Sequence, residues 1–126
     1  MPTKINLELT PEQAHTLMEV LEFFSRVHMG QFDTIEFSLH MDTYDESLGR
    51  PKYDREVVMS LLTQAKTTIF SDIDRSAYIG ITHTCERAKI AWDLYQQLRF
   101  DLSKDPMKQP FKVSEQPFPV ITITEG

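Results

Sequence analysis

The 126-residue chain has 13 basic and 19 acidic residues, a formal net charge of -6 and a pI near 5.1, with 40% hydrophobic and 25% charged residues. That balance belongs to an ordinary globular protein; it excludes the intrinsically disordered class and argues against broad non-specific nucleic-acid binding. The single cysteine, Cys85, excludes an intramolecular disulfide framework and suits a reducing compartment. The opening MPTKINLELT has no apolar signal core and no run approaches membrane-spanning length, so the expectation is a cytoplasmic single domain, residues 1–126, with no membrane association.

Lys4 to Leu9 alternates, with Ile5, Leu7 and Leu9 on one side, and is predicted to form a half-buried strand. A helix follows from Thr10. The Thr hydroxyl is a good N-cap, Pro11 suits the first helical position, and Gln13 completes a capping box. Ala14, Leu17, Met18, Leu21, Phe24 and Met29 recur at helical spacing, with Val20, Phe23 and Val27 widening the stripe. So many large apolar side chains predict a helix buried on more than one side, or packed against another chain. Gly30 supplies the left-handed residue that ends it. Residues 31–41 fit a helix or a strand by period, and the helical hairpin is preferred. Asp42 to Lys52 is read as a polar loop, Asp54 as the cap of a helix running to Phe70, and residues 71–84 as a long linker of the kind that carries function or a short helical turn.

The last helix is predicted from Cys85 to Ser103, capped by Thr84, with Ala88, Ala91, Leu94, Tyr95, Leu98 and Leu102 facing inward. Trp92, Gln96 and Arg99 form an adjacent stripe at i, i+4 and i+7. A proline-rich piece breaks that helix, and Val120 to Thr124 reads as a terminal strand that would pair with Lys4 to Leu9. The predicted fold is α+β and mainly helical, with about four helices and a small sheet from the N- and C-terminal strands.

No metal-ligand spacing joins the four histidines, and no phosphate loop, dinucleotide fingerprint or serine nucleophile elbow is present. Cys85 near a helix start, with His83 close by, has the outline of an activated thiol, but no glycine-rich oxyanion loop flanks it. The informative clusters are SRVHMGQF (Ser25 to Phe32) and WDLYQQLRF (Trp92 to Phe100). In the first, Arg26 and His28 complement a helix C-terminus, while Gln31 and Phe32 follow the turn glycine as a polar-aromatic corner. In the second, Trp, Tyr and Arg are the residues that dominate interfaces, and an Arg beside aromatic rings suits a base and its phosphate.

These same blocks, LTPEQA through SRVHMGQF and then YIGITH followed by ERAKIAWDLYQQLRFDL, resemble a family of short uncharacterised proteins of tailed bacteriophages and prophages. The resemblance spans Leu9 to Leu102 and departs from the family pattern at Phe24, Thr84 and Phe100–Asp101. It implies origin rather than activity: small virus-encoded cytoplasmic proteins are similar in size and charge to host-takeover factors, which act by binding. The expected function is therefore a non-enzymatic, cofactor-free binding protein. It would engage a host protein or sequester a small nucleotide-like ligand through Arg26, Gln31, Trp92, Tyr95 and Arg99, in host takeover or anti-defence. The excess of apolar residues also predicts a homo-oligomer. The alternatives are a small metal-dependent hydrolase using Asp72, Asp74, His83 and Glu86, and a virion accessory protein.

Overall fold

A threonine followed by proline, and a glycine twenty residues on, frame the first helix as local chemistry requires. Helix α1 spans Pro11–His28. The Thr10 hydroxyl accepts the Gln13 amide at 3.1 Å and the Gln13 side chain accepts the Thr10 amide at 2.9 Å, a complete capping box. At the other end Gln31 N–H donates to the Arg26 carbonyl and Gly30 N–H to that of Val27, with Gly30 at φ 84°. This is the Schellman arrangement, and the positive φ is why glycine stands there.

The computed structural model describes residues 4–73, 77–103 and 110–124. Within them, α1 is followed by α2 (Asp33–Asp42), a two-residue antiparallel ladder of β1 (Tyr44–Asp45) and β2 (Arg50–Pro51), α3 (Arg55–Ile69), a 3₁₀ turn (Ile81–His83) and α4 (Glu86–Ser103). The mainly helical α+β architecture matches the sequence expectation, and residues 33–41 of the segment 31–41 lie in helix α2, the preferred alternative. Asp54 caps α3 by accepting the amides of Glu56 and Val57.

The strands are not where alternation placed them. Lys4 to Leu9 and Val120 to Thr124 form no strand, and Ile5, Leu7 and Val120 lie exposed. The sheet is internal instead, inside the segment read as a polar loop, where the Asp45 carboxylate accepts the Ser47 amide and hydroxyl to shape the turn. Thr84 is also reassigned. Its hydroxyl donates back to Ile81 and closes the 3₁₀ turn, while the Cys85 carbonyl accepts the first bond of α4, from Lys89.

The core lies chiefly between α1 and α4. Ser25 and Ala88 are completely buried, and the Ser25 hydroxyl faces the Ala88 carbonyl at 3.0 Å, so two small side chains set a close crossing. Ala14, Ala91, Tyr95 and Leu98 are buried with them. The expectation that α1 would be buried on more than one side is not met: its only buried residues are Ala14 and Ser25, its larger apolar side chains are half-buried, and Val20 is exposed. The turn after α1 is a second packing point. Met29 and Phe32 are buried, Phe32 meets Phe70 edge-on at 5.9 Å, and the Ile79 amide donates to the Met29 carbonyl.

α2 is tied to the hairpin and α3 by one buried carboxylate. Glu36 is 1% exposed; its Oε1 accepts Arg55 Nε at 2.6 Å, Tyr53 Oη at 3.3 Å, and lies 3.2 Å from His40 Nδ1. Burial alone would raise its pKa, but hydrogen bonds from Arg55 and His40 and their charge outweigh it and hold the carboxyl below its ordinary 4.5. A depressed folded pKa contributes stability that is complete above the unfolded value and is lost as pH falls through the folded one. The urea midpoint of the wild type therefore falls as pH drops below about 4.5, the ordinary carboxylate value. Glu36→Gln loses about 1–3 kcal/mol at neutral pH and flattens that acid limb; an acid limb of the same steepness in both proteins would contradict this role.

Candidate functional site

The antiparallel pairing of α1 with α4 decides which side chains meet. With Ser25 opposite Ala88, Arg26 comes to lie over the Trp92 ring at 5.7 Å, and Arg87 over Phe24 at the same distance. Both are within the range of a cation–π contact. Trp92 in turn tilts against Tyr95, with centroids 5.3 Å apart. Arg26, Trp92 and Tyr95 form one chain of contacts, and Gln31 joins it by accepting Arg26 Nη1 at 2.8 Å.

Their roles differ from the single ligand set that the sequence suggested. Arg26 is committed within the protein: Nε and Nη2 both reach Glu22 Oε2, at 2.9 and 2.8 Å, and Nη1 holds Gln31. Tyr95 is 7% exposed, and burial together with the nearby Glu22 carboxylate pushes its phenol pKa above the ordinary value. Buried and kept neutral, it packs in the core rather than offering a ring face. His28 is likewise internal in function: Nδ1 donates to the Phe24 carbonyl, and the imidazole stacks on Phe24 at 4.2 Å.

Two clefts flank this chain of contacts. One, of about 430 Å³, is lined by Arg26 and Gln31 with Phe32, Asp33, Lys66 and Tyr78. The other, of about 310 Å³, runs along the outer stripe of α4. Trp92, Gln96, Arg99 and Ser103 recur there at i, i+4, i+7 and i+11, and Phe100, Ile81 and Phe111 complete an apolar lining. Arg99 is exposed and makes no hydrogen bond or ion pair with any described residue. The five sequence-predicted residues thus divide: Arg26 and Gln31 open into the first cleft, Trp92 and Arg99 into the second, and Tyr95 lies inside.

Sequence reasoning missed Phe111, Pro110 and Val113, which reach the groove from beyond the end of α4 and carry no local signal. It also missed Asp93, which is 2% exposed. Phe100 and Ser103 were open to detection, since they continue the stripe begun by Trp92.

Among the described residues no group of three or more His, Cys, Asp or Glu side chains comes together as metal ligands. Of the hydrolase set, Asp74 lies outside the described residues, and Glu86 is occupied by accepting the Glu115 amide at 2.8 Å. No helix among the described residues is long and apolar enough to cross a membrane. Comparison with protein-family models, with curated proteins and with solved structures finds no match.

The two arginines should separate experimentally. Arg26→Ala loses an i,i+4 pair, the Gln31 bond and the contact with Trp92, a cost of about 1–2 kcal/mol. It also shifts the emission of the sole tryptophan. Arg99→Ala stays within about 0.5 kcal/mol of wild type, as exposed substitutions do. Equal losses in urea unfolding would contradict the assignment.

Proposed function

We propose that the chain is a non-enzymatic binding protein of phage type that sequesters a small, planar, negatively charged ligand of nucleotide character in the groove along α4. The observation that carries this reading is the uncommitted guanidinium of Arg99 beside an aromatic and aliphatic groove with Trp92 in its wall. An exposed arginine with its donors unspent suits a phosphate or carboxylate, and Trp92, Phe100 and Ile81 give a flat ring system surface to cover. The -6 net charge of the chain repels polyanions at long range, so a small anion is a better occupant than a nucleic acid. The resemblance of its sequence blocks to short phage and prophage proteins supports reading such binding as part of host takeover or anti-defence.

A second reading, engagement of a host protein, has its own support in exposed apolar side chains away from the groove. Val57, Leu61 and Ile69 are exposed along α3 at multiples of four residues, with Phe37 and Met41 exposed on α2. Exposed apolar side chains of this kind suit a protein partner or a second copy of this chain, and homo-oligomerisation belongs to the same proposal.

Trp92 is the only tryptophan, so its fluorescence reads the groove directly. Titration with nucleoside mono-, di-, tri- and cyclic phosphates is expected to quench or shift the emission saturably for at least one of them. Arg99→Ala weakens that ligand about tenfold or more, the loss of a charge-assisted contact worth about 1.5–3 kcal/mol. No saturable response to any of them would sink the nucleotide reading and leave the protein-binding one.

A further inference from the structure

The groove has an outer wall that does not belong to any helix. It is built by residues 110–113, which return along α4 after the helix has ended. What holds the return is Asp93. Its Oδ1 accepts the Val113 amide at 2.9 Å, and its Oδ2 accepts the Ser114 amide at 3.0 Å and the Ser114 hydroxyl at 2.5 Å. Ser114 Oγ in turn accepts the Gln116 amide at 3.2 Å, and Glu86 takes the Glu115 amide. Three successive backbone amides are therefore pinned to two carboxylates of α4.

A carboxylate 2% exposed, with three donors on it, is a strong local restraint, and both Asp93 and Ser114 are buried. Its consequence is felt at Phe111, two residues before the pinned stretch. Phe111 lines the groove yet is 92% exposed, so its ring packs against almost nothing. Trp92 lines the same groove. A phenyl ring left in water at the mouth of an aromatic groove gains burial only when something flat enters the space beside it.

We infer that Phe111 is the second platform of an aromatic clamp, closing on a planar ligand ring from the side opposite Trp92, and that the Asp93–Ser114 latch is the positioning device that keeps it there. The inference rests on the proposed nucleotide reading of the same groove and adds its specificity element. Selectivity for a flat ring system over an aliphatic anion comes from Phe111, while Arg99 takes the charge. Ligand entry and latch formation are coupled, so a bound ligand stabilises the returning segment and an intact latch raises affinity.

The test uses the full-length chain and two readouts. With the nucleotide that gives the strongest Trp92 response, Phe111→Ala is expected to lose about tenfold or more in affinity, and Phe111→Tyr to keep it. Asp93→Asn is expected to lose affinity with the helical circular dichroism intact. Without ligand, hydrogen exchange at the Val113, Ser114 and Glu115 amides reports the latch alone, and Asp93→Asn is expected to speed it. Wild-type binding with unchanged Phe111→Ala affinity overturns the clamp and leaves the nucleotide reading standing. Unchanged amide exchange in Asp93→Asn overturns the latch whatever binds. A wild type that responds to no nucleotide overturns the reading itself, and the clamp with it.

Discussion

The close approach of Ser25 to the Ala88 carbonyl is the contact from which the rest of the arrangement follows. Two helices meet at a point where both side chains are small enough for the backbones to come near, and a hydroxyl supplies one bond across the gap. Any larger residue at either position pushes the helices apart and moves every pairing above and below. At this register Arg26 meets Trp92, and burial of Tyr95, with the Glu22 carboxylate close by, raises its pKa. The crossing therefore sets the Arg26 guanidinium over the ring of Trp92, which also lines the groove.

The second half of the molecule is held differently. α2 and α3 bury few large apolar side chains, and the strongest tie among them is electrostatic, through Glu36 to Arg55, His40 and Tyr53. The bonds to this carboxylate outweigh the hydration it loses on burial, so it adds stability while selecting one arrangement. Apolar stripes on α2 and α3 remain on the surface. On the proposed readings the groove takes a small occupant and the exposed side chains of α2 and α3 a large one, so the two are compatible rather than exclusive.

The parts of the fold legible in the sequence are those governed by local chemistry. Thr10 with Gln13, Asp54 before α3 and Gly30 after α1 each act on backbone groups within a few residues, so spacing alone identifies them. The terminal strands failed for the opposite reason. Alternation in Ile5, Leu7 and Leu9 specifies a face but not a partner, and neither terminus finds the other. Asp93 went unnoticed because nothing near it in sequence announces that residues 113 and 114 return to it. The two arginines were given one role although a distinguishing signal existed: Glu22 stands four residues before Arg26 and pairs with it, whereas Arg99 has Tyr95 at the same offset.

The central claim is that Arg99 and the aromatic groove form a site for a small planar anion. Its most direct test is native mass spectrometry of the protein purified without stripping, followed by addition of a nucleotide mixture. The account predicts one nucleotide-sized mass increment per chain, carried by each copy of whatever oligomer is observed and absent in Arg99→Ala. A wild-type spectrum with no increment before or after addition, or an increment that Arg99→Ala retains in full, would contradict it.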